Sequence, residues 1–361
     1  MTAIAAPLVS VIVRSMDRPG LPVALHSLAR QDCGRLEILV VDATGGRHRP
    51  LPAIPLREGH SMRLIALGRP LSRPAAANAG IDAVSGEYFS FLDDDDSCEP
   101  SHLSSLLAAA ANRRDCLVVY GKAQILDAEG HVGRVFGTAF NRALMHCGPL
   151  CYWQAALFRS RVRGLGCRVN EALEVCEDRD FLAQVAEHSD FAFIPAATFR
   201  YRPDVGTSGT GTGANRDDTR RVPFDARLNA RWAGARSYHV ERATRWCRRG
   251  IAAYMCGDRA GARAWFEHTL AHYPDDPNAL HALGRLHFED GNLAGAEASV
   301  RRALDIYPGI AEFQATLASI LDPRRTSSRD GTPTDPFSAR RAAAAVAAGA
   351  ATRQIPAQRT T

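Results

Sequence analysis

The chain has only one lysine, Lys122, among its 44 basic residues, and all the others are arginine. Coding bias explains this imbalance as well as any function does. The chain also lacks an apolar run long enough to cross a bilayer, since a spanning helix needs about 20 apolar residues. Its first residues lack the basic start and long apolar core of a secretion signal. We therefore expect a cytoplasmic protein without a transmembrane segment, either free or peripheral at the inner membrane face.

Three further absences narrow the chemistry. The nine cysteines include no C-x-x-C pair, and the group of His146, Cys147 and Cys151 lacks the fourth ligand of a structural metal site, so reduced thiols are expected. The glycine-rich stretch 206–213 lacks the lysine and flanking pattern of a P-loop, and we interpret it as a mobile lid or linker. No interleaved aromatic and basic pattern is present, which argues against a nucleic-acid partner.

The most informative feature is a run of four aspartates, Asp93 to Asp96, that directly follows the apolar stretch Tyr88–Leu92. Adjacent carboxylates repel one another, and little in the neighbouring sequence neutralises them, whereas a divalent cation would. If the apolar stretch is a buried strand, the carboxylates lie at its C-terminal end, where open α/β sheets bind ligands. A hard cation held by carboxylates and phosphate oxygens is a familiar arrangement there. The alternative is structural: Pro100 suits the start of a helix, whose dipole favours nearby acidic residues.

The first half of the chain alternates strand and helix patterns. The strands are short, continuous apolar runs, as expected of strands covered on both faces. This rhythm predicts an α/β fold with a mostly parallel sheet flanked by helices. The predicted strands are Leu8–Val13, Leu36–Val41, Arg63–Leu67, Tyr88–Leu92, Leu117–Ile125, Val132–Phe136 and Phe191–Ile194. The predicted helices are Leu21–Ala29, Ala75–Val84 and Asp178–His188, and the stretch 147–158 is predicted to be irregular.

The second part of the chain is predicted to be helical only and contains an internal repeat. Two residue pairs recur 34 residues later, which is the tetratricopeptide period. They are Tyr273-Pro274 with Tyr307-Pro308, and Gly257-Asp258 with Gly291-Asn292. We predict an all-α region: a helical connector at 223–247, tetratricopeptide-like repeats at 248–321 and a disordered tail at 322–361. Two repeats are fewer than the three usually needed for stability, so we expect the array to bind a protein partner, to pack on the first domain or to self-associate.

Five motifs in the first half occur together and in a fixed order. They are Val9–Val13, Glu37–Asp42, Ala77–Ile81, Gly86–Asp96 with Pro100, and Glu177–Phe181. In this order they resemble the family 2 glycosyltransferases, which have the GT-A fold. The resemblance covers roughly residues 9–201 and implies a glycosyltransferase domain over residues 1–222. It also implies a nucleotide-sugar donor and a divalent metal, Mn²⁺ or Mg²⁺.

The resemblance assigns roles to individual acidic residues. Asp42, at the end of the second strand, would contact the base or ribose of the donor. The aspartate run contains the D-x-D element of the family, with Asp95 as metal ligand and Asp96 in support. Asp93 or Asp94 would contact the ribose. A bound metal neutralises the diphosphate as the glycosidic bond breaks, which makes it a better leaving group.

The sequence departs from the family pattern at three places. Ala43 replaces a common second aspartate, and Ala77 replaces a common arginine. Arg14-Ser15-Met16 stands where the family usually has Pro-Thr-Tyr after the first strand. The motifs therefore do not identify the nucleotide base of the donor, and a UDP-sugar is the expected donor. Arg73 could supply the missing charge near the phosphates or be an ordinary surface arginine. Asn78 could fix the loop near the donor or serve as a turn or cap residue.

Asp178 is predicted to be the base that activates the acceptor hydroxyl. Phe181, Leu182 and Val185 lie three, four and seven residues further on, so Asp178 shares the apolar face of its helix. Burial would raise the pKa of its carboxyl towards the range useful to a general base. The alternative is an ordinary carboxylate at the N-terminus of a helix, for example a cap. A single base acting with in-line displacement predicts inversion at the anomeric carbon.

Tyr152 and Trp153 lie where the family places its acceptor site, so they could contact the acceptor or belong to the core. The predicted function is an inverting, metal-dependent glycosyltransferase that moves a sugar from a nucleotide diphosphate to a hydroxyl of a glycan, lipid-linked sugar or protein. The alternative is a catalytically weak scaffold that binds sugar nucleotides and recruits partners through its repeats. A nucleotidyltransferase would need a glycine-rich basic phosphate loop, which residues 14–20 supply poorly.

Overall fold

The computed structural model describes residues 6–146, 148–206, 211–307 and 309–322. The chain divides into two compact units, with the boundary between Val240 and Glu241. The predicted disordered tail lies outside the described residues, apart from its first residue, and the predicted glycine-rich lid lies partly outside them. Among the helices described, none is both long and apolar enough to cross a membrane.

Four parallel strands form one half of the sheet in the first unit, in the order β3-β2-β1-β4. These strands are β1 (Leu8–Ser15), β2 (Arg35–Asp42), β3 (His60–Ile65) and β4 (Tyr88–Asp93). They are joined through α1 (Leu21–Ala29) and α2 (Arg73–Ala83). The predicted alternation of strands and helices is confirmed here, although β3 begins and ends slightly earlier than predicted. Continuous apolar runs form these strands because helices cover both faces of the sheet.

The other half of the sheet mixes parallel and antiparallel pairs and continues the order as β8-β6-β9-β5, with β7 paired to β6. Its strands are β5 (Ser97–Cys98), β6 (Val118–Leu126), β7 (Val132–Phe136), β8 (Ala156–Arg159) and β9 (Phe191–Tyr201). The helices of this half are α3 (His102–Asn112), α4 (Arg142–Met145) and α5 (Glu177–Ala186). The predicted α/β fold class is confirmed, with helices packed on a mixed sheet in which four strand pairs are antiparallel. Sequence analysis missed β5 and β8, which are two and four residues long.

Two apolar clusters form the core, one on each face of the sheet. Alternate residues of β1 take part in each, with Val11 and Val13 in one cluster and Ile12 in the other. Residues of α1 and α3 complete the first cluster, and residues of α2 and α5 complete the second. In the second cluster Phe91 stacks on Trp153 with ring centroids 3.9 Å apart. This packing fixes the ends of β4 and α5, which carry the acidic residues of interest.

The remaining elements are helices. They are α6 (Asp218–Arg231), α7 (Ala233–Met255), α8 (Arg259–His272), α9 (Pro277–Glu289), α10 (Leu293–Ile306) and α11 (Ala311–Leu321). Asp258 caps α8 and Asn292 caps α10 in the same way, each accepting a hydrogen bond from a backbone amide three residues on. Gly250 and Gly284 also repeat at 34 residues, and each has a facing side chain, Phe266 or Val300, where a Cβ would sit. The predicted tetratricopeptide-like repeats are confirmed.

Candidate active site

A cavity of about 350 Å³ lies at the C-terminal ends of β1 and β4. Its walls include the residues after β4, the start of α2 and the first turn of α5. The charged side chains that line it include Arg14, Arg18, Arg73, Asp93, Asp94, Asp95, Glu177 and Asp178. Parallel strands end together at one edge of the sheet, which is why residues so distant in sequence converge. The predicted acidic site is therefore brought together with the predicted base.

Arg14 is the central buried cation of this site. The β1–β4 register places it opposite Asp93, and its guanidinium binds that carboxylate in a bidentate manner, with contacts of 2.6 and 2.8 Å to Oδ1 and 2.9 Å to Oδ2. Its Nη1 donates to Glu177 Oε1 at 2.7 Å, and Trp153 lies 4.8 Å from it. Burial opposes protonation, but Asp93 and Glu177 raise the pKa of Arg14 above its ordinary value. Arg14 thus joins the acidic run to the first turn of α5.

The other aspartates of the run have different partners. Asp94 is 1 % exposed and accepts a hydrogen bond of 2.8 Å from the backbone amide of Met16. Arg18 contacts both Asp94 and Asp95, at 3.2 and 2.8 Å. Asp96 accepts from the backbone amide of Arg202 through Oδ1. The two arginines that bind this run therefore come from the end of β1 and from the segment after it, rather than from the neighbouring sequence.

The pKa values separate Asp93 from the other three aspartates of the run. Burial works against ionisation of Asp93, but the positive charges of Arg14 and Arg73 outweigh it and lower its pKa. Burial raises the pKa of Asp94. Burial and repulsion by Asp93 raise the pKa of Asp95 to about 6. Burial and repulsion by Asp95 raise the pKa of Asp96 well above its ordinary value. A nearby positive charge would therefore stabilise the ionised forms of Asp95 and Asp96 most.

The donor set of this run fits a hard divalent cation. Oxygens of Asp93, Asp95 and Asp96 lie within 4.8 Å of one another. The Oδ2 atom of Asp96 is buried and has no hydrogen-bond partner within the described part of the chain. A buried carboxylate oxygen without a partner is costly, and a metal ion would satisfy it. Carboxylate oxygens are the ligands that Mg²⁺ and Mn²⁺ prefer.

Asp178 lies in the first turn of α5 and is half-buried, with its side chain at the cavity. The N-cap of this helix is Cys176, so Asp178 is not the cap, although it is one of the acidic residues of the first turn. Burial and the negative charge of Glu177 raise the pKa of Asp178 to about 6, although the Arg179 amide, Arg73 and Arg14 oppose the rise. A carboxyl with this pKa is largely ionised at neutral pH and can still accept a proton efficiently.

Backbone strain is concentrated around the cavity. Among the described residues, the non-glycine residues with positive φ are Asp17, at 57°, and Cys176, at 64°. Asp17 lies between the two arginines that bind the acidic run, and Cys176 immediately precedes α5. Such conformations cost about 1–3 kcal/mol each and cluster at functional sites. The strain at these two positions turns Arg18 and Asp178 towards one cavity.

The other predicted donor residues are placed unequally. Arg73 begins α2 at the cavity wall, and its Nε lies 3.4 Å from Glu177 Oε1. Asp42 ends β2, but it accepts hydrogen bonds from Thr44 and Gly46, and it does not line the cavity. Asn78 is also outside the cavity lining, where its amide exchanges hydrogen bonds with the backbone of Val169. The structure therefore brings only Arg73 of these three into the site.

Tyr152 and Trp153 both line the cavity but differ in burial. Trp153 is fully buried between Phe91 and Arg14, which matches the core alternative. Tyr152 is half-buried and stands between the main cavity and a second one of about 630 Å³. Tyr201 lies beside it with ring centroids 4.8 Å apart and lines both cavities. This aromatic pair separates the acidic site from open surface.

Sequence analysis missed the cations of the site and Gln154. Gln154 donates to Asp93 Oδ2 at 2.7 Å. Arg14 and Arg18 lie just after the predicted first strand, where the sequence departs from the family pattern. That departure, together with parallel pairing of the first and fourth strands, is the signal that could have identified them. Glu177 and Asp180 are predicted to be solvated or paired with arginines, and pairing is observed, with Arg14 and Arg231 respectively.

Two family models match parts of the chain. Residues 10–162 match the family model of glycosyl transferase family 2, and residues 255–320 match a tetratricopeptide repeat model. The chain therefore carries a family 2 glycosyltransferase domain followed by tetratricopeptide-like repeats. It is a glycosyltransferase.

Curated relatives of this chain are glycosyltransferases by name. PGL/p-HBAD biosynthesis glycosyltransferases of Mycobacterium bovis and Mycobacterium tuberculosis are each 26% identical over 240 residues, which cover 63% of this chain and 88% of the relative. A crystal structure of S. aureus TarS in complex with UDP-GlcNAc has a TM-score of 0.48 and 14% identity, and the alignment covers 91% of this chain and 95% of that one.

Proposed function

We propose that the chain is an inverting, metal-dependent glycosyltransferase that uses a nucleotide diphosphate-sugar, with a UDP-sugar as the first donor to test. The observation that carries this proposal is the convergence of Asp95, Asp96 and Asp178 on one edge of the sheet. Asp95 and Asp178 both line the cavity, and each has its pKa raised to about 6. Asp96, next to Asp95, has a buried oxygen without a partner in the described residues. An acidic ion site beside a poised base suits sugar transfer from a diphosphate.

Asp95 and Asp96 would hold the divalent cation, Mn²⁺ or Mg²⁺, with Asp93 within reach. Such an ion, when bound, offsets the charge that develops on a diphosphate leaving group. Arg14 and Gln154 fix the orientation of Asp93, and Arg18 fixes Asp94. Donor contacts by Asp93 and Asp94 are part of the proposal, as are contacts by Asp42 and Asn78 through the loops that they hold.

The positive charge available to donor phosphates comes from Arg73. Its side chain is 37 % exposed, and Glu177 lies 3.4 Å away. Glu177 is already bound by Arg14 at 2.7 Å, so Arg73 is held loosely enough to turn towards a phosphate. This supports the predicted role of Arg73 at the diphosphate, in place of the arginine that the family pattern has at the position of Ala77.

Asp178 would accept the proton of the acceptor hydroxyl as that oxygen attacks the anomeric carbon. The displacement breaks the bond to the diphosphate on the opposite face, so a single base implies inversion. Tyr152 and Tyr201 would form the acceptor side, because they line both the main cavity and the open one beside it. Sugar rings stack readily on such aromatic faces. The acceptor classes remain a glycan, a lipid-linked sugar or a protein hydroxyl.

Two matched variants test this assignment in the purified chain. Binding of Mn²⁺ and UDP is followed as thermal stabilisation, and turnover is followed as metal-dependent hydrolysis of a panel of nucleotide-sugars. We expect Asp95→Asn to lose both the stabilisation and the hydrolysis. We expect Asp178→Asn to keep the stabilisation and lose at least a hundredfold in turnover, the lower end of general-base effects.

The control is Asp115→Asn, because Asp115 is exposed and paired only with neighbouring surface groups. It should behave as the unmodified chain in both assays. Metal-dependent stabilisation that survives Asp95→Asn would defeat the metal assignment, and full turnover in Asp178→Asn would defeat the base. Stabilisation without hydrolysis of any nucleotide-sugar would favour the alternative of a catalytically weak scaffold.

A further inference from the structure

A second group of potential metal ligands lies at the other end of α5 from the catalytic cavity. His146 follows α4, Glu187 caps the C-terminus of α5, and His239 belongs to the part of α7 before the unit boundary. The Nε2 atom of His146 lies 2.9 Å from Glu187 Oε1. The Nε2 atom of His239 lies 3.3 Å from the same oxygen. None of these residues lines the catalytic cavity.

The two imidazoles are buried and held in fixed orientations. His146 and His239 are each 3 % exposed, and their rings are nearly parallel, at 5° with centroids 5.5 Å apart. Trp232 also stacks against the His146 ring, with ring centroids 4.9 Å apart. The Glu187 side chain is 39 % exposed. The group therefore has a rigid, buried nitrogen side and an oxygen side open to solvent.

We propose that His146, Glu187 and His239 form a zinc site that is separate from the catalytic metal site. Two imidazole nitrogens and one carboxylate oxygen are a known ligand set for Zn²⁺, with the fourth position left to water. Zinc–nitrogen and zinc–oxygen distances of about 2.0–2.2 Å in a tetrahedron place neighbouring ligand atoms roughly 3.3–3.5 Å apart. The observed nitrogen–oxygen separations of 2.9 and 3.3 Å are close to that spacing, and all three ligand atoms lie within 4.8 Å of one another.

The local charges are compatible with a bound cation. Glu187 places its carboxylate at the negative end of the α5 dipole, where a cation is favoured. Zinc binds carboxylates and neutral imidazoles, which are the groups that these three side chains offer. Arg142, whose positive charge acts on His146, is itself paired with Asp190 at 2.7 Å.

The position of the site suggests what the ion would do. It would connect the segment after α4, the end of α5 and the start of α7, three elements that are otherwise distant along the chain. The opposite end of α5 carries Glu177 and Asp178. An ion there would fix the helix that presents the base without contacting substrate. We therefore expect zinc to stabilise the fold and to leave the binding of Mn²⁺ and UDP unchanged.

The test measures zinc binding directly, in the full chain without an affinity tag, after dialysis against a chelator. Wild-type protein should retain or rebind one equivalent of Zn²⁺, counted by elemental analysis after equilibrium dialysis, and should give the visible absorption of four-coordinate Co²⁺ when cobalt replaces zinc. The double variant His146→Gln/His239→Gln should lose this equivalent or bind it at least tenfold more weakly. Glu187→Gln, which changes a partly exposed side chain, should weaken zinc binding with both histidines in place.

The matched control is His268→Gln/His272→Gln, which removes another close histidine pair, with ring centroids 4.5 Å apart on α8. This control and Asp95→Asn should both keep the equivalent of zinc, which separates the proposed site from the catalytic one. Circular dichroism shows whether each variant is folded before its zinc content is compared. The proposal is overturned if folded wild-type protein binds no zinc at micromolar concentration, or if zinc affinity is the same in Glu187→Gln and wild type. The histidines would then only share hydrogen bonds with Glu187.

Discussion

Sugar transfer by this chain should fall on acidification with an apparent pKa near 6, set by Asp178. Burial and the adjacent charge of Glu177 raise the pKa of Asp178 to about 6, and only the ionised carboxylate can accept the proton of the acceptor. A carboxyl with this pKa is about 90% ionised at pH 7 and about 10% ionised at pH 5. The rate at subsaturating donor should therefore drop roughly tenfold between these two pH values.

Two substitutions should move the acidic limb of the pH–rate profile in opposite directions. Glu177→Gln removes the negative neighbour, so the pKa of Asp178 falls and the limb moves to lower pH. Arg73→Met removes a positive charge that opposes the rise, so the limb moves to higher pH. Each shift is read from initial rates of donor hydrolysis or transfer between pH 4.5 and 8, with Mn²⁺ saturating at every pH so that titration of Asp95 does not contribute.

Asp115→Asn is the matched control, because Asp115 is an exposed aspartate far from the cavity lining, and its profile should overlay that of the unmodified chain. If Glu177→Gln leaves the limb in place, the repulsion between Glu177 and Asp178 is not part of the tuning. If the activity of wild type is flat between pH 5 and 7, Asp178 is not the rate-determining base and the mechanism proposed above is wrong.

The same pKa makes a prediction about stability. A carboxyl whose pKa is higher in the folded chain than in the unfolded chain destabilises the fold when it is ionised. For Asp178 that penalty is absent below its unfolded pKa, near 3.8, grows between this value and about 6, and is complete above it. Asp178→Asn should therefore unfold at a higher temperature than wild type at pH 8 and at the same temperature near pH 3.5, as measured by circular dichroism.

Two further predictions concern folding. Arg14→Met leaves Asp93 and Glu177 buried without their cation, which should cost about 3–5 kcal/mol of folding stability and lower the melting temperature by roughly 6–20 °C. Arg49→Met, at an exposed ion pair, should change the melting temperature little. Equal effects of the two substitutions would contradict the role of Arg14. Gly284→Ala places a Cβ 2.6 Å from a Val300 methyl and should destabilise the repeats by about 1–3 kcal/mol, as measured by urea unfolding. Gly234→Ala lies in a helix where a Cβ meets open space, so it should stabilise that helix. Destabilisation by both substitutions would refute the packing argument.

Most of the sheet could be predicted from the sequence because its central strands are buried on both faces. β1, β2 and β4 are continuous apolar runs, and β1 and β2 have one residue in eight that is not buried. β8 was missed because its four residues lie within an aromatic stretch that has neither strand nor helix period. β5 has only two residues and is held by pairing with β9. Short strands of this kind are defined by their partners rather than by their own pattern.

The aspartate run could be located from sequence, but its partners could not. Composition gives the charge of Asp93 to Asp96, and the strand before them gives their place at the sheet edge. The cations come from residues 14 and 18, which are 79 and 76 positions away from their partners Asp93 and Asp94. Only the β1–β4 register places Arg14 opposite Asp93. The structural alternative, an acidic first turn of a helix, is excluded because α3 begins at His102, after β5.

The contacts within the run explain how two of the four adjacent carboxylates can be held by the protein while the other two remain available to a metal ion. Arg14 holds Asp93 through three short contacts, and the Met16 amide and Arg18 hold Asp94, so these two oxygen pairs are fixed by the protein itself. Asp95 shares Arg18, and Asp96 has one buried oxygen without a partner in the described residues. Burial, together with repulsion from neighbouring aspartates of the run, raises the pKa of both. A positive charge is therefore stabilised most at Asp95 and Asp96, where the proposed metal ion would also face a donor diphosphate.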